Sequence, residues 1–524
     1  MIQDMREIPA NDVLSADVCI VGSGAIGTAI ALEFLSTSFK VIVLEGGGST
    51  YEEPSQDPYL STVVGVPHTG IHEGRARVLG GTTTLWAGQA LPLTEWDFEE
   101  RPWVPYSGWP IDKSVVDSYY PRAEAVMEVN HETYQTPTWP HANHLPPAYD
   151  ASKIYPLYTQ FTLSPDFRDK YKERLEAVPN IRILTHANVL SLEASENADG
   201  VTHARVCSFE GKEIAVRARF FIVACGGLES ARLLLASDSV EKTGIGNQQD
   251  VVGRFFQEHP HFVVDGIKPR NPHQFDLWFN TLIRGHVRYA LKVAISPELQ
   301  KEQRLLNAGG EIFYPTADDD PISAARRVLS VLRGREKADA LLPALSQVAK
   351  HPGRVINEVW LRAVKNQAVS AGAIPPKFVI GVEQEPNPNS RLYLGEERDS
   401  LGVRRAVLDW KVSDAEYRTI EVFLKAVVAE WKRLDVADVD LSKVEWNVVL
   451  KDSYHHIGTT RMGTDPKTSV VDADCRVHGY DNLYVAGSSV FPTGGFSNPT
   501  LTALALSIRT TDLVKQRLTH AVPI

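Results

Sequence analysis

The chain has 524 residues, enough for more than one domain and a large buried core. It is 43% hydrophobic and 23% charged with a net charge of −11, an ordinary globular composition that argues against binding a phosphate backbone as its main task. Its four cysteines, Cys19, Cys207, Cys225 and Cys475, include no CxxC pair, so neither a zinc site nor a disulfide framework is expected. The opening MIQDMREIPANDVLSADVCIVG lacks the basic segment and long apolar run of a secretion signal. No run of about twenty apolar residues occurs. A soluble, cytoplasmic protein without a membrane span is expected.

Chemistry starts near the N-terminus. Asp17-Val-Cys-Ile-Val21 is a short apolar run that reads as a strand, and the turn Gly22-Ser-Gly-Ala-Ile-Gly27 follows at once. The run AIALEFL then has helical character, and a second strand, Lys40-Val-Ile-Val-Leu44, ends in Glu45 and Gly46-Gly47-Gly48. Strand, G-x-G-x-x-G, helix, strand and acid form a complete dinucleotide-binding unit, with Glu45 eighteen residues beyond Gly27. Gly22 permits the tight turn, Gly24 lets backbone approach a pyrophosphate, and Gly27 lets helix and strand pack closely. The helix N-terminus offers free N–H groups to phosphate, and Glu45 accepts hydrogen bonds from a ribose while repelling a 2′-phosphate. The unit alone does not separate FAD from NAD(P), so an NAD(P)-dependent Rossmann dehydrogenase remains open at this point.

Further along, RARVLGGTTTLWAG at 75–88 places Gly80-Gly81 before three threonines, freeing backbone amides to face a cofactor. FFIVACGGLESARLLLASD at 220–238 reads as a buried strand, a Gly226-Gly227 turn and a helix. Residues 321–368 are helical in pattern and basic through Arg326, Arg327, Arg333, Arg335, Lys337, Arg354, Arg362 and Lys365. A solvated helical face is the first reading of that charge, and a homo-oligomer contact or an acidic partner the alternative. FVIGVEQEP and SRLYLGEERDSLGVRRAVLDW read as strands of a second sheet, with Gly402 in a turn, and the amphipathic helix 415–434 as packed across it. Near the C-terminus SYHHIGTTRMG, 453–463, sets two histidines side by side. On an extended segment they point to opposite faces, so one at most is expected to reach a reactive centre. His259 and His261 in EHPHF lack partners at recognisable ligand spacing, and no metal is expected.

The N-terminal unit and the segments at 75–88, 220–262 and 455–502 together resemble the glucose–methanol–choline (GMC) family of FAD-dependent alcohol oxidoreductases. H-x-x-GT-x-RMG from His455, VVDADCRVHGYDNLYVAGSSVFPT, GGFSNPTLTALAL and EWDFEERPWVPYSGWPI look most like its pyranose-oxidase and glycoside-oxidase branch. The resemblance implies an α/β chain, α+β overall, in two interleaved parts. A Rossmann-like FAD-binding domain would draw on 10–95, 180–262 and 450–524. A substrate domain on a large, mostly antiparallel sheet would draw on 96–179 and 263–449, with the basic helical insertion at about 321–368. In the FAD-binding part it implies cofactor contacts from Gly22, Gly24, Ala25, Ile26, Gly27, Glu45 and Gly46, and from Arg77, Gly80, Gly81, Thr82, Thr84, Leu85, Trp86 and Ala87. It adds Ala224, Gly226, Gly487, Ser488, Asn498, Pro499 and Thr500, and Val189 touching adenine through its backbone. Where fungal pyranose oxidases carry T-H-W-T, whose histidine bonds the flavin, this chain reads Thr84-Leu85-Trp86-Ala87. Leu85 has no nucleophilic atom, so non-covalent FAD is expected.

The family's base lies three residues before the glycine of the GT pair, which selects His455 before Gly458 and leaves His456 to packing. A neutral histidine suits removal of a hydroxyl proton near neutral pH. Its implied partner is Asn498, although Asn498-Pro499 before TLTALALSI also reads as a helix cap. Gln384 matches a sugar-contacting glutamine. The implied activity is oxidation of a ring secondary hydroxyl, C3 or C2, of a sugar or glycoside by hydride transfer to flavin N5. Electrons would pass to O2 or a quinone-like acceptor. A primary alcohol such as an aminoglycoside 6′-hydroxyl is the alternative substrate, and a non-catalytic flavoprotein the alternative of another class.

Overall fold

The apolar run before Gly22 forms the strand Val13–Val21, whose last four residues are buried. In the computed structural model, which describes residues 1–131, 134, 145–315, 320–332, 341–353, 355–356 and 374–520, this strand lies inside an eight-stranded sheet. On one side it pairs in parallel with Val41–Leu44, which continues in parallel to Ile181–Thr185 and Ile2–Asp4. On the other side it pairs with Glu213–Val223, which also carries Leu483–Val485 in parallel. Val201–Cys207 and Asn188–Ala194 extend the sheet with antiparallel pairings. All four residues of Val41–Leu44 are buried, as a parallel strand covered on both faces requires. Chain order thus reverses between Val13–Val21 and Glu213–Val223. A crevice opens beyond the carboxyl ends of strands at such a switch point.

The glycines of the first turn have separate reasons to be glycine. Gly22 has φ 102°, and a Cβ there would sit 2.6 Å from the Ala224 carbonyl oxygen. A Cβ on Gly27 would overlap the Gly22 carbonyl oxygen, so the helix Ala25–Leu32 packs against the turn only because none is present.

A seven-stranded sheet forms the second layer, antiparallel throughout as expected. Its order is His261–Val264, Lys377–Val382, Ala308–Phe313, Val287–Ile295, Ile154–Thr162 and Gln89–Ala90, with Leu282–Arg284 on Val287–Ile295. The helix Asp414–Arg433 carries a capping box at Ser413 and Glu416 and packs on Lys377–Val382 and Ala308–Phe313. The helix Phe167–Glu176, from the stretch expected in the substrate domain, packs against Ala25–Leu32.

One expected element is placed elsewhere. Arg391–Arg398 and Arg404–Asp409 do not join the seven-stranded sheet; they form a small sheet with Thr62–Val63. The reason is Arg232, on the helix Gly226–Ala236. Its guanidinium donates to the Arg404 carbonyl at 3.0 Å and to Asp399 at 2.5 Å, tying the hairpin to the first layer. Gly402, with φ 81°, sits in the turn as read. Of the basic stretch, the helices Pro321–Leu332 and Leu341–Lys350 are seen. Arg333, Arg335, Lys337, Arg354, Arg362 and Lys365 lie outside the described residues. Among the described residues no helix is long and apolar enough to cross a membrane.

Gly27→Ala should force helix and turn apart, costing about 1–3 kcal/mol as overpacking. Thermal denaturation of the two proteins checks this, and an unchanged midpoint would contradict it.

Candidate active site

The crevice is a cleft of about 290 Å³, built where three helices begin. Ala25, Gly226 and Thr500, the first residues of Ala25–Leu32, Gly226–Ala236 and Thr500–His520, all line it. Their free N–H groups and dipoles make the walls attractive to anions. Gly24 bears nothing that would meet an added Cβ within 4 Å, which leaves room for a phosphate against the backbone.

Glu45 lies at one end. Its carboxylate accepts from Ser23 Oγ at 2.6 Å and from the Gly47 amide at 2.9 Å, and burial pushes its carboxyl up. Arg77 donates to Asn188 Oδ1 at 2.5 Å. Its Nε, like that of Arg75, is buried without a partner beside the cleft. Burial alone would raise the Glu229 carboxyl, but Arg232, Arg75 and Arg77 outweigh it and hold it below the usual range. The elongated cleft, its helix ends and these unpaired donors fit FAD, a long dianionic dinucleotide with a ribose at one end and a ring at the other.

Of the residues expected to hold cofactor, Gly22, Gly24, Ala25, Ile26, Glu45, Gly46, Arg77, Gly81, Thr82, Trp86, Val189, Ala224, Gly226, Gly487, Ser488, Pro499 and Thr500 line the cleft. Gly27, Gly80, Thr84, Leu85, Ala87 and Asn498 do not. Gly27 and Gly80 shape the turns behind it: the Gly80 amide donates to Ser23 Oγ at 3.3 Å. Thr84 donates to the Gly81 carbonyl at 3.0 Å, and Leu85 is 55% exposed. Gln384 is also elsewhere. It is buried, accepts from the Trp410 indole and the Glu258 amide at 2.9 Å each, and donates to the Lys411 carbonyl at 2.6 Å. These bonds brace it against Trp410, Glu258 and Lys411, away from the residues that line the cleft. The sequence reading also missed the hairpin turn, whose Asp399, Leu401 and Val403 form part of the wall.

The far end of the cleft is organised by Glu258, which has no solvent exposure. One oxygen accepts from the His259, Ser453 and His455 amides at 3.2, 3.3 and 3.0 Å and from Ser453 Oγ at 3.0 Å. The other accepts from His68 Nε2 at 3.1 Å and faces His456 Nε2 at 3.6 Å. His68 Nδ1 accepts the Ile71 amide at 3.1 Å, so its hydrogen sits on Nε2 and points at the carboxylate. Burial alone would raise the Glu258 carboxyl, yet the hydrogen bond from His68 and the surrounding histidines hold it far below the usual range. The His68, Glu258 and His456 ligand atoms lie within 4.8 Å of one another. Spacing could not reveal this group, since His68 is remote in sequence; its bonding is that of an anion ringed by N–H and O–H donors.

Both neighbouring histidines line the cleft, contrary to the strand-alternation expectation. The segment is bulged rather than extended. Gln257 bridges to Ile457 and His261 to Lys451, so seven residues on one side match five on the other. The slack is taken up at Tyr454, with φ 62°. His456 is nevertheless turned with Nε2 toward Glu258, while His455 Nε2 meets Asn498 Nδ2 at 3.2 Å. Asn498 Oδ1 is buried and accepts nothing, so this side chain does not cap the helix that follows. His455 is held well below the ordinary histidine range by burial first and by His259 next, with Glu258 pulling the other way.

A mostly parallel sheet with a cleft at its switch point, lined by three helix N-termini and by His455, is an arrangement suited to a dinucleotide. Residues 386–507 match the family described as GMC oxidoreductase. Paromamine 6′-oxidase of Streptomyces fradiae is 24% identical over 96% of this chain and 93% of its own length. C-glycoside 3-oxidase of Microbacterium trichothecenolyticum is 36% identical over 57% of this chain and 47% of its own. In fold, the crystal structure of pyridoxine 4-oxidase from Mesorbium loti covers 97% of this chain and 100% of its own, with a TM-score of 0.58 at 16% identity. The chain is thus similar to GMC oxidoreductases, FAD enzymes acting on CH–OH groups of sugars or alcohols, through the family pattern at residues 386–507 and through a relative that aligns over nearly its whole length.

Since Leu85 stands outside the cleft and offers no nucleophile, acid precipitation should release all flavin into the supernatant. Yellow colour retained in the washed pellet would show a covalent bond.

Proposed function

We propose that this enzyme oxidises a ring secondary hydroxyl of a sugar or glycoside, at C3 or C2, to a ketone, and passes the electrons to O2, giving hydrogen peroxide, or to a quinone-like acceptor. The observation that carries the reading is His455 Nε2 paired with Asn498 Nδ2 at 3.2 Å, beside the start of the last helix. A hydroxyl placed between them donates its hydrogen to Nε2 and accepts one from the amide. His455 takes the proton as the neighbouring C–H bond breaks, and Asn498 holds the oxygen so that this bond keeps its direction. FAD, when bound, supplies the acceptor for the hydride.

In this reading 10–95, 180–262 and 450–524 supply the flavin-binding part. The Gly22–Gly27 turn faces the pyrophosphate, Glu45 the ribose and the Val189 backbone the adenine. Trp86, Gly487, Ser488, Pro499 and Thr500 serve the ring end. The glycoside 3-oxidase relative supports a secondary hydroxyl. The 6′-oxidase relative, which aligns over nearly the whole chain, supports a second reading in which a primary hydroxyl becomes an aldehyde. The basic helices are read as a solvated face, with an oligomer contact or an acidic partner as the alternative.

Anaerobic flavin reduction by a panel of free sugars, O-glycosides, C-glycosides and aminoglycosides, with NMR of the product, separates ketone from aldehyde. Bleaching by simple aliphatic alcohols alone would remove the sugar assignment. His455→Ala should slow reduction by about 10²–10⁴-fold, as loss of a general base does, and His456→Ala should be the milder change. The pH profile gives a further check. The groups acting on His455 are His259, Glu258, His261 and Lys292, and together with burial they keep it neutral below its ordinary value of 6.5. The reduction rate should therefore stay level as pH falls through 6.5 and drop only in more acidic solution. A rate already halved at pH 6.5 would mean a base with an ordinary pKa.

A further inference from the structure

A histidine base works only if the nitrogen facing the hydroxyl carries no hydrogen, and a neutral imidazole can place its hydrogen on either nitrogen. The hydrogen bonds behind His455 settle which one. His259 is buried, and its Nε2 lies 3.2 Å from the Gly494 carbonyl oxygen, which can only accept. The hydrogen of His259 is therefore on Nε2, and its Nδ1 is an acceptor. That Nδ1 stands 3.0 Å from His455 Nδ1, which must then be the donor. Ser453 Oγ, whose own hydrogen goes to Glu258, lies 3.1 Å from the same His455 nitrogen and is a second acceptor for it. With its hydrogen on Nδ1, His455 presents a bare Nε2, and Asn498 meets it with an N–H.

We propose that His259, locked by the Gly494 carbonyl and assisted by Ser453, is a positioning residue that holds His455 in the Nδ1–H tautomer, leaving Nε2 free to take the substrate proton. The inference rests on the assignment of His455 as the base for its consequence, but not for the tautomer itself.

Three features fit this role. Gly494 is glycine where a Cβ would approach His259 Nε2 to 3.0 Å, so a side chain there would press the ring away from the carbonyl. The rings of His259 and His455 meet edge to face, with centroids 5.1 Å apart and planes at 75°, which directs one nitrogen at the other. Burial drops His259 to a pKa of about 4, so it remains neutral and keeps a free lone pair on Nδ1 across the working range. When Nε2 takes the hydroxyl proton, His455 becomes an imidazolium whose Nδ1–H still points at His259 and Ser453, and ionised Glu258 nearby offsets the charge. No proton leaves the pair in that step.

The test uses the holoenzyme with its 16 histidines labelled with 15N, and the His455 signals are assigned by their loss in His455→Ala. The expected spectrum has His455 bearing hydrogen on Nδ1 and an unprotonated Nε2. His259→Leu should move hydrogen toward Nε2, and more fully with Ser453→Ala added. Flavin reduction at saturating substrate should slow about 10-fold in the single variant and about 10²-fold in the double, with substrate affinity little changed, within the range attributed to general-base catalysis. His259→Asn, whose Oδ1 can take the place of Nδ1 as acceptor, should restore both the tautomer and the rate. Hydrogen on Nε2 of wild-type His455 would overturn the proposal, even if the leucine variant did not fold. So would a His259→Leu spectrum identical to wild type. Should no substrate of the panel reduce the flavin, the function proposed above fails while the spectrum still decides the tautomer.

Discussion

Glu258 is a carboxylate with no solvent exposure, and the histidine end of the cleft is arranged around it. An ionised carboxylate in the interior survives only if hydrogen-bond donors replace its hydration shell. Here those donors come from the two strands that face each other at 257–261 and 451–457, and from His68 on a distant loop. Because the His259, Ser453 and His455 amides all converge on one oxygen, the bulge at Tyr454 is held open, and through it the direction of His455 is set. Removing the charge would release both His455 and His259. Its closeness to the histidines also offsets the desolvation that otherwise makes an imidazolium costly.

This dependence explains which parts of the molecule were legible beforehand. The nucleotide unit was readable because its determinants are local: Gly22 needs a positive φ, Gly27 needs the space of a missing Cβ, and Glu45 follows the next strand directly. A second sheet was legible in outline through strand-like stretches such as FVIGVEQEP, its antiparallel character through the family resemblance, and the helix Asp414–Arg433 through its amphipathic pattern. What failed were inferences that needed a partner remote in sequence. The hairpin 391–409 has the alternation of any strand pair, and nothing local says that Arg232 will draw it to the first layer. Strand alternation misplaced the doubled histidine because a bulge, invisible as a pattern, turns both rings to the cleft. An acid among histidines in EHPHF was the one local hint of Glu258, and weighing only the histidines, as metal ligands to be set aside, passed over its use as an anchor.

The two ends of the cleft meet opposite electrostatic needs. Near the first turn, the ends of Ala25–Leu32 and Gly226–Ala236 and the guanidinium groups of Arg75 and Arg77 supply positive potential for phosphates. Glu229 keeps that cluster from excess charge, pairing with Arg75 at 3.0 Å and with Arg232 at 3.2 Å. Thr500, the first residue of Thr500–His520, lines the same cleft as His455, and the N-terminus of that helix adds a positive contribution there. A helix dipole is a fixed partial charge: it stabilises a developing anion without competing for the substrate proton, as a lysine would.

Asn498 shows how these demands are reconciled in one residue. Before a helix that starts at Thr500, an asparagine is well placed to cap, and a cap of that kind stabilises by about 0.5–2 kcal/mol. The side chain instead gives its amide to His455 and keeps its carbonyl oxygen buried without a partner. An orphaned acceptor in the interior costs about 1–3 kcal/mol, so the arrangement is unfavourable for the protein alone. In the proposed reaction a hydroxyl-bearing ligand would meet both the donor and the acceptor of this side chain, and its binding would offset the deficit; the helix end, which Asn498 does not cap, would then be left to act on charge forming in the cleft.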